Sequence, residues 1–278
     1  HPFTLPELAR GDTARNHIER FYDSFEQVRE QGLDALIITG ANVVGPSLSE
    51  QPFWQPLIEV IDWAYEHVTS NLCSCLATHA VLEFRYGQRR TPRPEKSWGV
   101  FPHRLVDKRH PLVNDVNTRF DVPHSRWNDV SRSQFDAARL KVLAESDVGV
   151  HLATSPDGFR FVFFQGHPEY DTISLLKEYK REVIRYRGGE LAGYPPCVEN
   201  YFSVRDKAIL REYRGRLDEA LAAGRDAPEI PDELLTRGLD NTGRDTAHSV
   251  VGNSVGLENQ LTHSARRSPC MDGVDPGT

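Results

Sequence analysis

An α/β fold, built on an open and mainly parallel sheet with helices on both faces, is what this 278-residue sequence predicts. Three observations carry that prediction. Short apolar runs alternate with helical periods through the amino-terminal third of the chain. The runs that close at Gly40 and Ser74 have strand length and lack the polar alternation of a half-exposed strand, as expected of parallel strands covered on both faces. A later pair of apolar runs flanks Ser155-Pro156-Asp157-Gly158, a hairpin turn that adds antiparallel edge pairing.

Taken in order, Ala14 to Gln31 places Ile18, Phe21, Tyr22, Phe25 and Val28 at three- and four-residue spacing, which predicts one amphipathic helix stopped by Gly32. Leu33 to Thr39 is a buried parallel strand opening into the loop Gly40-Ala41-Asn42. Pro52 to His67 carries Trp54, Leu57, Ile58, Ile61, Trp63 and Ala64 at helical spacing and reads as a crossover helix. Val68 to Ser74 is a second β-rich run and Leu76 to Tyr86 a run of helix formers, so Cys75 stands at a sharp strand-to-helix turn. From Gly87 to Val130, Pro92, Pro94, Pro102, Pro111 and Pro123 divide short apolar pieces, predicting loops and short strands. The hairpin pairs Val148–Thr154 with Phe159–Gln165 and ends at Gly166-His167. Thr172 to Tyr186 and Val204 to Ala223 predict two further helices. Beyond Gly224 the chain turns Pro-, Gly- and Asn-rich without a sustained period. Residues 1–223 are therefore expected to form one α/β domain and 224–278 a weakly ordered extension.

A net charge of −7 and a pI near 5.9 argue against a general affinity for nucleic acid or anionic membranes. Apolar stretches such as Ala35-Leu36-Ile37-Ile38 fall far short of the roughly 20 residues that cross a bilayer. No basic-then-apolar leader is visible. The four cysteines, Cys73, Cys75, Cys197 and Cys270, make no disulfide framework, which fits a reducing cytoplasm. Arg89, Arg90, Arg93 and Lys96 gather in one segment that reads as a solvated basic turn. The chain begins at His1 and its one methionine is Met271, so it reads as a piece of something longer.

Chemistry concentrates at two strand ends. A cysteine between a strand and a helix has its thiolate stabilised by first-turn amides and the helix dipole. Cys75 holds that place, small residues at Ser74 and Ala77 leave room for a substrate, and the Leu76 amide is positioned to donate to an oxyanion. The competing reading makes Cys73 and Cys75 buried packing residues. A metal reading of Cys73-x-Cys75 lacks a second Cys/His pair, so no metal site is expected. The second candidate is Gly166-His167-Pro168-Glu169-Tyr170-Asp171. There a strand-end histidine has an acid two residues on to fix its tautomer, against the alternative of a structural loop histidine. In a parallel sheet Cys75 and His167 share the edge where α/β proteins bind ligands.

Five ordered blocks, Phe21-Tyr22-Asp23-Ser24-Phe25-Glu26, Leu36-Ile37-Ile38-Thr39-Gly40-Ala41, Gly99-Val100-Phe101-Pro102-His103, Pro123-His124-Ser125-Arg126 and Gly166-His167-Pro168-Glu169-Tyr170-Asp171, resemble the homoserine O-acyltransferases of the MetA type over residues 15–190. The resemblance implies a flavodoxin-like sheet similar to that of class I glutamine amidotransferases. It implies Cys75 as nucleophile, His167 as general base and Glu169 as its orienting partner. Substrate contacts fall on Lys96, Ser125 and Arg181, of which Lys96 and Arg181 are cations suited to a homoserine carboxylate or an acyl-CoA charge. Backbone amides at Leu76 and Ala41 form the oxyanion site. The implied reaction is ping-pong transfer from acyl-CoA, a co-substrate, to L-homoserine in methionine synthesis, in a homodimer without a cofactor. Val44 matches the family's acyl selector, where glutamate goes with acetyl and glycine with succinyl transfer. A neutral residue followed by Gly45 favours succinyl-CoA, while valine's bulk leaves acetyl-CoA as the alternative.

The chain also departs from the family. Cys75-Leu76-Ala77-Thr78-His79-Ala80 replaces Cys-Trp-Gly-Ala-Gln-Ala, Asn42 replaces a proline, and Ser254 stands where an aromatic usually follows Asn253, which predicts a poorly anchored closing helix. Family members carry a further amino-terminal stretch with two strands and a Met-Pro-Lys turn whose lysine lines the site, so an unpaired strand edge is expected here. A glutamine amidotransferase-like cysteine hydrolase and a non-catalytic fragment are the remaining alternatives.

Overall fold

The computed structural model describes residues 1–8, 10–41 and 43–263. In chain order its elements are α1 (Asp12–Phe21), α2 (Phe25–Gln31), β1 (Ala35–Ile38), α3 (Trp54–His67), β2 (Ser70–Ser74), α4 (Leu76–Tyr86), β3 (Thr91–Leu105), β4 (Arg119–Asp129), α5 (Arg132–Ala137), β5 (Lys141–Ser146), β6 (Gly149–Thr154), β7 (Phe161–Phe164), α6 (Ser174–Arg187), α7 (Val204–Ala222), α8 (Asp232–Thr236) and α9 (Arg244–His263). A 3-10 turn at Pro111–Val113 joins β3 to β4.

One seven-stranded sheet among the described residues runs β1-β2-β7-β6-β5-β3-β4. The β1–β2 and β2–β7 pairs are parallel, and the rest of the sheet is antiparallel. The expected α/β class holds, with parallel order confined to the half that carries the two strand ends. Burial explains the division. All of β2 and β7 is buried, because α3 and α4 cover one face through Ile61, Leu76 and Val81 while α9 covers the other through Val250, Leu257 and Leu261. Strand β1 lies at the edge of the sheet with Ile37 exposed.

Three sequence expectations change. The single helix over Ala14–Gln31 is two helices. Ser24 accepts from the Gln27 amide at 3.2 Å and Gln27 Oε1 accepts from the Ser24 amide at 2.8 Å, a capping box that starts a new helix. The Pro-rich segment is not loops with short strands but the long antiparallel pair β3–β4. Its prolines are tolerated because Pro123 lies on the edge strand β4, the register slips between Pro92 and Ser97, and β3 pairs with β5 only at Arg104 and Leu105, beyond Pro102. The segment read as lacking a period contains α8 and α9, and α9 is well anchored. Asn253 Nδ2 donates to the carbonyls of Leu112 at 3.1 Å and Asn114 at 2.8 Å, replacing an aromatic anchor with an amide clamp. The part of that extension from 264 onward lies outside the described residues.

Behind the parallel edge sits a buried layer of histidines on β3, β4 and β6. Arginine only donates and a carbonyl only accepts, so the two ends fix every proton between them. Arg126 donates to His124 Nδ1, His124 Nε2 to His103 Nε2 at 3.3 Å, and His103 Nδ1 to the Phe101 carbonyl at 2.9 Å. Each ring then has one nitrogen that must accept, so each is held neutral. Burial pushes His79 down to about 3 and His103 and His110 to about 4. His124 and His151 go well below the ordinary range through burial and nearby charges, Arg126 among them.

These five histidines bind a proton in the unfolded chain below pH ~6.5 and stay neutral in the folded one. Stability is therefore expected to fall as pH drops from that point towards 4, each group contributing about 1.4 kcal/mol per pH unit. Urea unfolding midpoints between pH 7 and 5 should report uptake of more than two protons; a flat profile contradicts this packing.

Candidate active site

The β2–α4 join places Cys75 at φ +53°, ψ −111°, a left-handed conformation that a residue with a Cβ adopts only under constraint. The constraint is visible. The Cys75 amide donates to the Phe164 carbonyl at 2.8 Å, and Thr78 Oγ1 lies 2.9 Å from the carbonyls of both Cys73 and Phe164. Leu76 is the first residue of α4, so its N–H has no acceptor within the helix. Gly40 faces that amide: a Cβ there would lie 3.2 Å from Leu76 N and 3.4 Å from Cys75 Cβ. The Leu76 amide and the Gly40-Ala41 loop thus border the sulfur. Cys73, two residues earlier, is buried in the apolar core, and burial pushes its thiol up.

His167 arrives from the neighbouring parallel strand. Gly166 before it is wedged against β4 and β6, where a Cβ would come within 2.5 Å of Val122 Cγ1 and 2.9 Å of His124 Cε1. The His167 amide donates to the Pro123 carbonyl at 2.9 Å. On the ring, Nδ1 meets Glu169 Oε1 at 2.8 Å, and Tyr170 stacks at 4.1 Å between centroids. Ser74, buried, donates to Glu169 at 3.0 Å and so ties the acid to the elbow. It is a tether rather than the open approach its small size suggested. Burial alone would push the Cys75 thiol up, but the charge of the neighbouring His167 ring, with Arg126 behind, brings it below its ordinary value. His167 shows the converse: burial would lower it, and the thiolate and Glu169 raise it. Glu169 is held low against partial burial by His167 and Ser74. Both shifts favour a thiolate beside an imidazolium.

The other expected residues group around a carboxylate that sequence reasoning missed. Glu178 Oε2 lies 3.3 Å from Lys96 Nζ and accepts from Ser125 Oγ at 2.5 Å, while Glu178 Oε1 accepts from Tyr170 OH. The available signal was its spacing, one turn before Arg181 on α6. Lys96 also sits 4.1 Å over the Trp98 ring; burial, with some help from Arg181, lowers its pKa. The Arg181 side chain is exposed and reaches Glu182 at 3.6 Å rather than joining the Glu178 set.

Val44 is 56% exposed, and its carbonyl accepts from Asn128 Nδ2 at 2.9 Å. Asn42 lies outside the described residues. The basic segment is no solvated turn beyond Arg89. Arg90 is buried under the 43–46 loop, Arg93 pairs with Asp129 at 3.3 Å, and Lys96 is half-buried against Glu178, because each found a partner far away in sequence.

A family model described as homoserine O-succinyltransferase matches residues 1–221. The homoserine O-succinyltransferase of Allochromatium vinosum is 62% identical over 277 residues, which cover 99% of this chain and 78% of that protein. That of Thioalkalivibrio nitratireducens is 60% identical with the same coverage. Among solved structures, a glutamine amidotransferase from Methylobacillus flagellatus matches with a TM-score of 0.48 at 12% identity, over 91% of this chain and 92% of that one. Another from Thermotoga maritima matches with a TM-score of 0.44 at 10% identity, over 92% and 95%.

The Cys75–His167 pair predicts that iodoacetamide alkylation of Cys75 is governed by an inflection below the ordinary thiol value of about 8.5. Glu169→Gln and Ser74→Ala, which loosen the ring's support, should move that inflection upward. An inflection at or above the ordinary value in the native protein would contradict the pairing.

Proposed function

The chain belongs to the homoserine O-succinyltransferase family, and we propose how its own residues carry the transfer of a succinyl group from succinyl-CoA to the hydroxyl of L-homoserine. The observation that carries the reading is the hydrogen-bonded relay of His167, Glu169 and Ser74, with Cys75 charge-coupled to His167 at the ends of two adjacent parallel strands. The enzyme is an acyltransferase, and its product, O-succinylhomoserine, serves methionine synthesis.

In the first half-reaction the Cys75 thiolate attacks the thioester carbon of succinyl-CoA. The Leu76 and Ala41 amides hold the tetrahedral oxyanion. The bond to the CoA sulfur breaks, the His167 imidazolium gives that sulfur its proton, and succinyl-Cys75 remains beside a neutral imidazole. In the second, His167 Nε2 takes the proton of the homoserine hydroxyl. The oxygen attacks the acyl carbon, Cys75 leaves as thiolate, and the ion pair is restored. Glu169 keeps the Nδ1 proton in place through both steps.

Lys96 and Ser125, grouped at Glu178, and Arg181, exposed on α6, are the acceptor contacts of this reading, with Lys96 or Arg181 matched to its carboxylate. Val44 borders the acyl group; a neutral side chain there leaves a succinyl carboxylate unopposed. No helix among the described residues is long and apolar enough to cross a membrane, and a homodimer in the cytoplasm is the setting the resemblance implies.

Mixing the protein with succinyl-CoA in the absence of homoserine should leave a succinyl adduct on Cys75, visible by intact-mass spectrometry and discharged by homoserine. Cys75→Ala should abolish the adduct and lower turnover by at least about a thousandfold. A folded wild-type protein that forms no adduct, or one on another residue, contradicts the assignment.

A further inference from the structure

Arg90 is 6% exposed, and among the described residues no carboxylate oxygen lies within the 4 Å of an ion pair with it. Its donors go to neutral carbonyls: Nη2 to Val43 at 3.1 Å and to Gly45, and Nε to Pro46 at 3.3 Å. The nearest acid acting on it, Glu83, is engaged by Arg89 at 3.6 Å instead. Burying a guanidinium without a counter-charge is costly, and carbonyl dipoles offset only part of that cost. Such a group is suited to an anionic ligand.

Its location says which anion. The three carbonyls bracket Val44, on the loop that leaves β1 through Gly40, and Gly40 lies against Cys75 and the Leu76 amide. Val43 packs on the same cluster as Leu76 and Ala77. Arg90 therefore holds the carbonyls of the same loop whose start, at Gly40, lies against the Cys75 elbow. The field of the Cys75 thiolate reaches it there, opposing the lowering that burial imposes. Arg126, the other buried guanidinium near the sulfur, is already neutralised by Asp129 at 3.1 Å.

We propose that Arg90 is the specificity-determining cation of this site, binding the distal carboxylate of the succinyl group while the thioester carbon stands at Cys75. This rests on the succinyl-transfer reading above. An acyl chain without a terminal charge would leave the guanidinium buried and unpaired, so discrimination by charge follows from the same cost.

The test compares succinyl-CoA with butyryl-CoA, which replaces the carboxylate by a methyl group, in the full chain. Native protein should favour succinyl-CoA in kcat/KM by roughly 10- to 100-fold. Arg90→Met should remove most of that ratio, Arg90→Lys should restore part of it, and circular dichroism should match the native spectrum. Val44→Glu adds a carboxylate at an exposed position of the loop whose carbonyls hold Arg90 and should lower turnover of succinyl-CoA more than of butyryl-CoA. It keeps the test decisive where an Arg90 variant does not fold. Equal loss for both donors in a folded Arg90→Met, or a native protein indifferent to the carboxylate, overturns the proposal. Native protein that turns over neither donor, or only acetyl-CoA, overturns the succinyl-transfer reading instead.

Discussion

The active site depends on one join, where β2 turns into α4 against the end of β7. A cysteine at φ +53° stores about 1–3 kcal/mol of backbone strain. Its amide, the Thr78 hydroxyl and the His79 ring all answer that strain by bonding to Phe164 and Gln165. Gln165 spends its whole amide on the task. Its Nε2 donates to the carbonyls of Val130 and Val150, so its Oε1 accepts, from the Val130 amide and from His79 Nε2. Four elements are thereby locked at the floor of the site, and His167 follows Gln165 by two residues. The placement of nucleophile and imidazole thus follows from the ends of two adjacent strands, β2 and β7.

Charge follows from that geometry. Two groups that burial would keep neutral become ionic because each is the other's nearest counter-charge, and Arg126 biases the balance towards thiolate. The surrounding histidines do the opposite. His103 and His124 are held neutral by hydrogen-bond direction and burial and His151 by burial and nearby charge, and the His124 and His151 rings pack against Gly166 without competing for the proton that His167 carries. One imidazolium among neutral rings is an economical way to localise a proton in a polar core.

The parts legible in the sequence were local ones. The strand, elbow and helix around Cys75 were written in the consecutive run from Val68 to Tyr86, and Gly166-His167 closed an uninterrupted apolar run, so strand-end placement needed no tertiary knowledge. Glu169 was legible as the acid two residues after His167, and family likeness then supplied Lys96, Ser125 and Arg181. What stayed hidden depended on partners remote in the chain. Ser74 looks like a small turn residue until Glu169, 95 positions later, is beside it. Arg90 reads as a surface charge until the 43–46 loop, some 45 positions earlier, folds over it. Proline misled because strand propensity counts the missing N–H as a loss, whereas an edge strand has no partner on one side for it to fail. The closing helix α9 was obscured by Gly252 and Gly256, although Val250, Leu257 and Leu261 keep its buried face.

The central claim, that folding creates a thiolate–imidazolium pair at two strand ends, is tested most directly by nitrogen-15 NMR of the His167 ring at pH 8. The account predicts an imidazolium with both nitrogens protonated in the native protein and a neutral ring in Cys75→Ala, where the counter-charge is gone. A neutral His167 in the native protein at that pH, or a ring that stays charged without the sulfur, would contradict it.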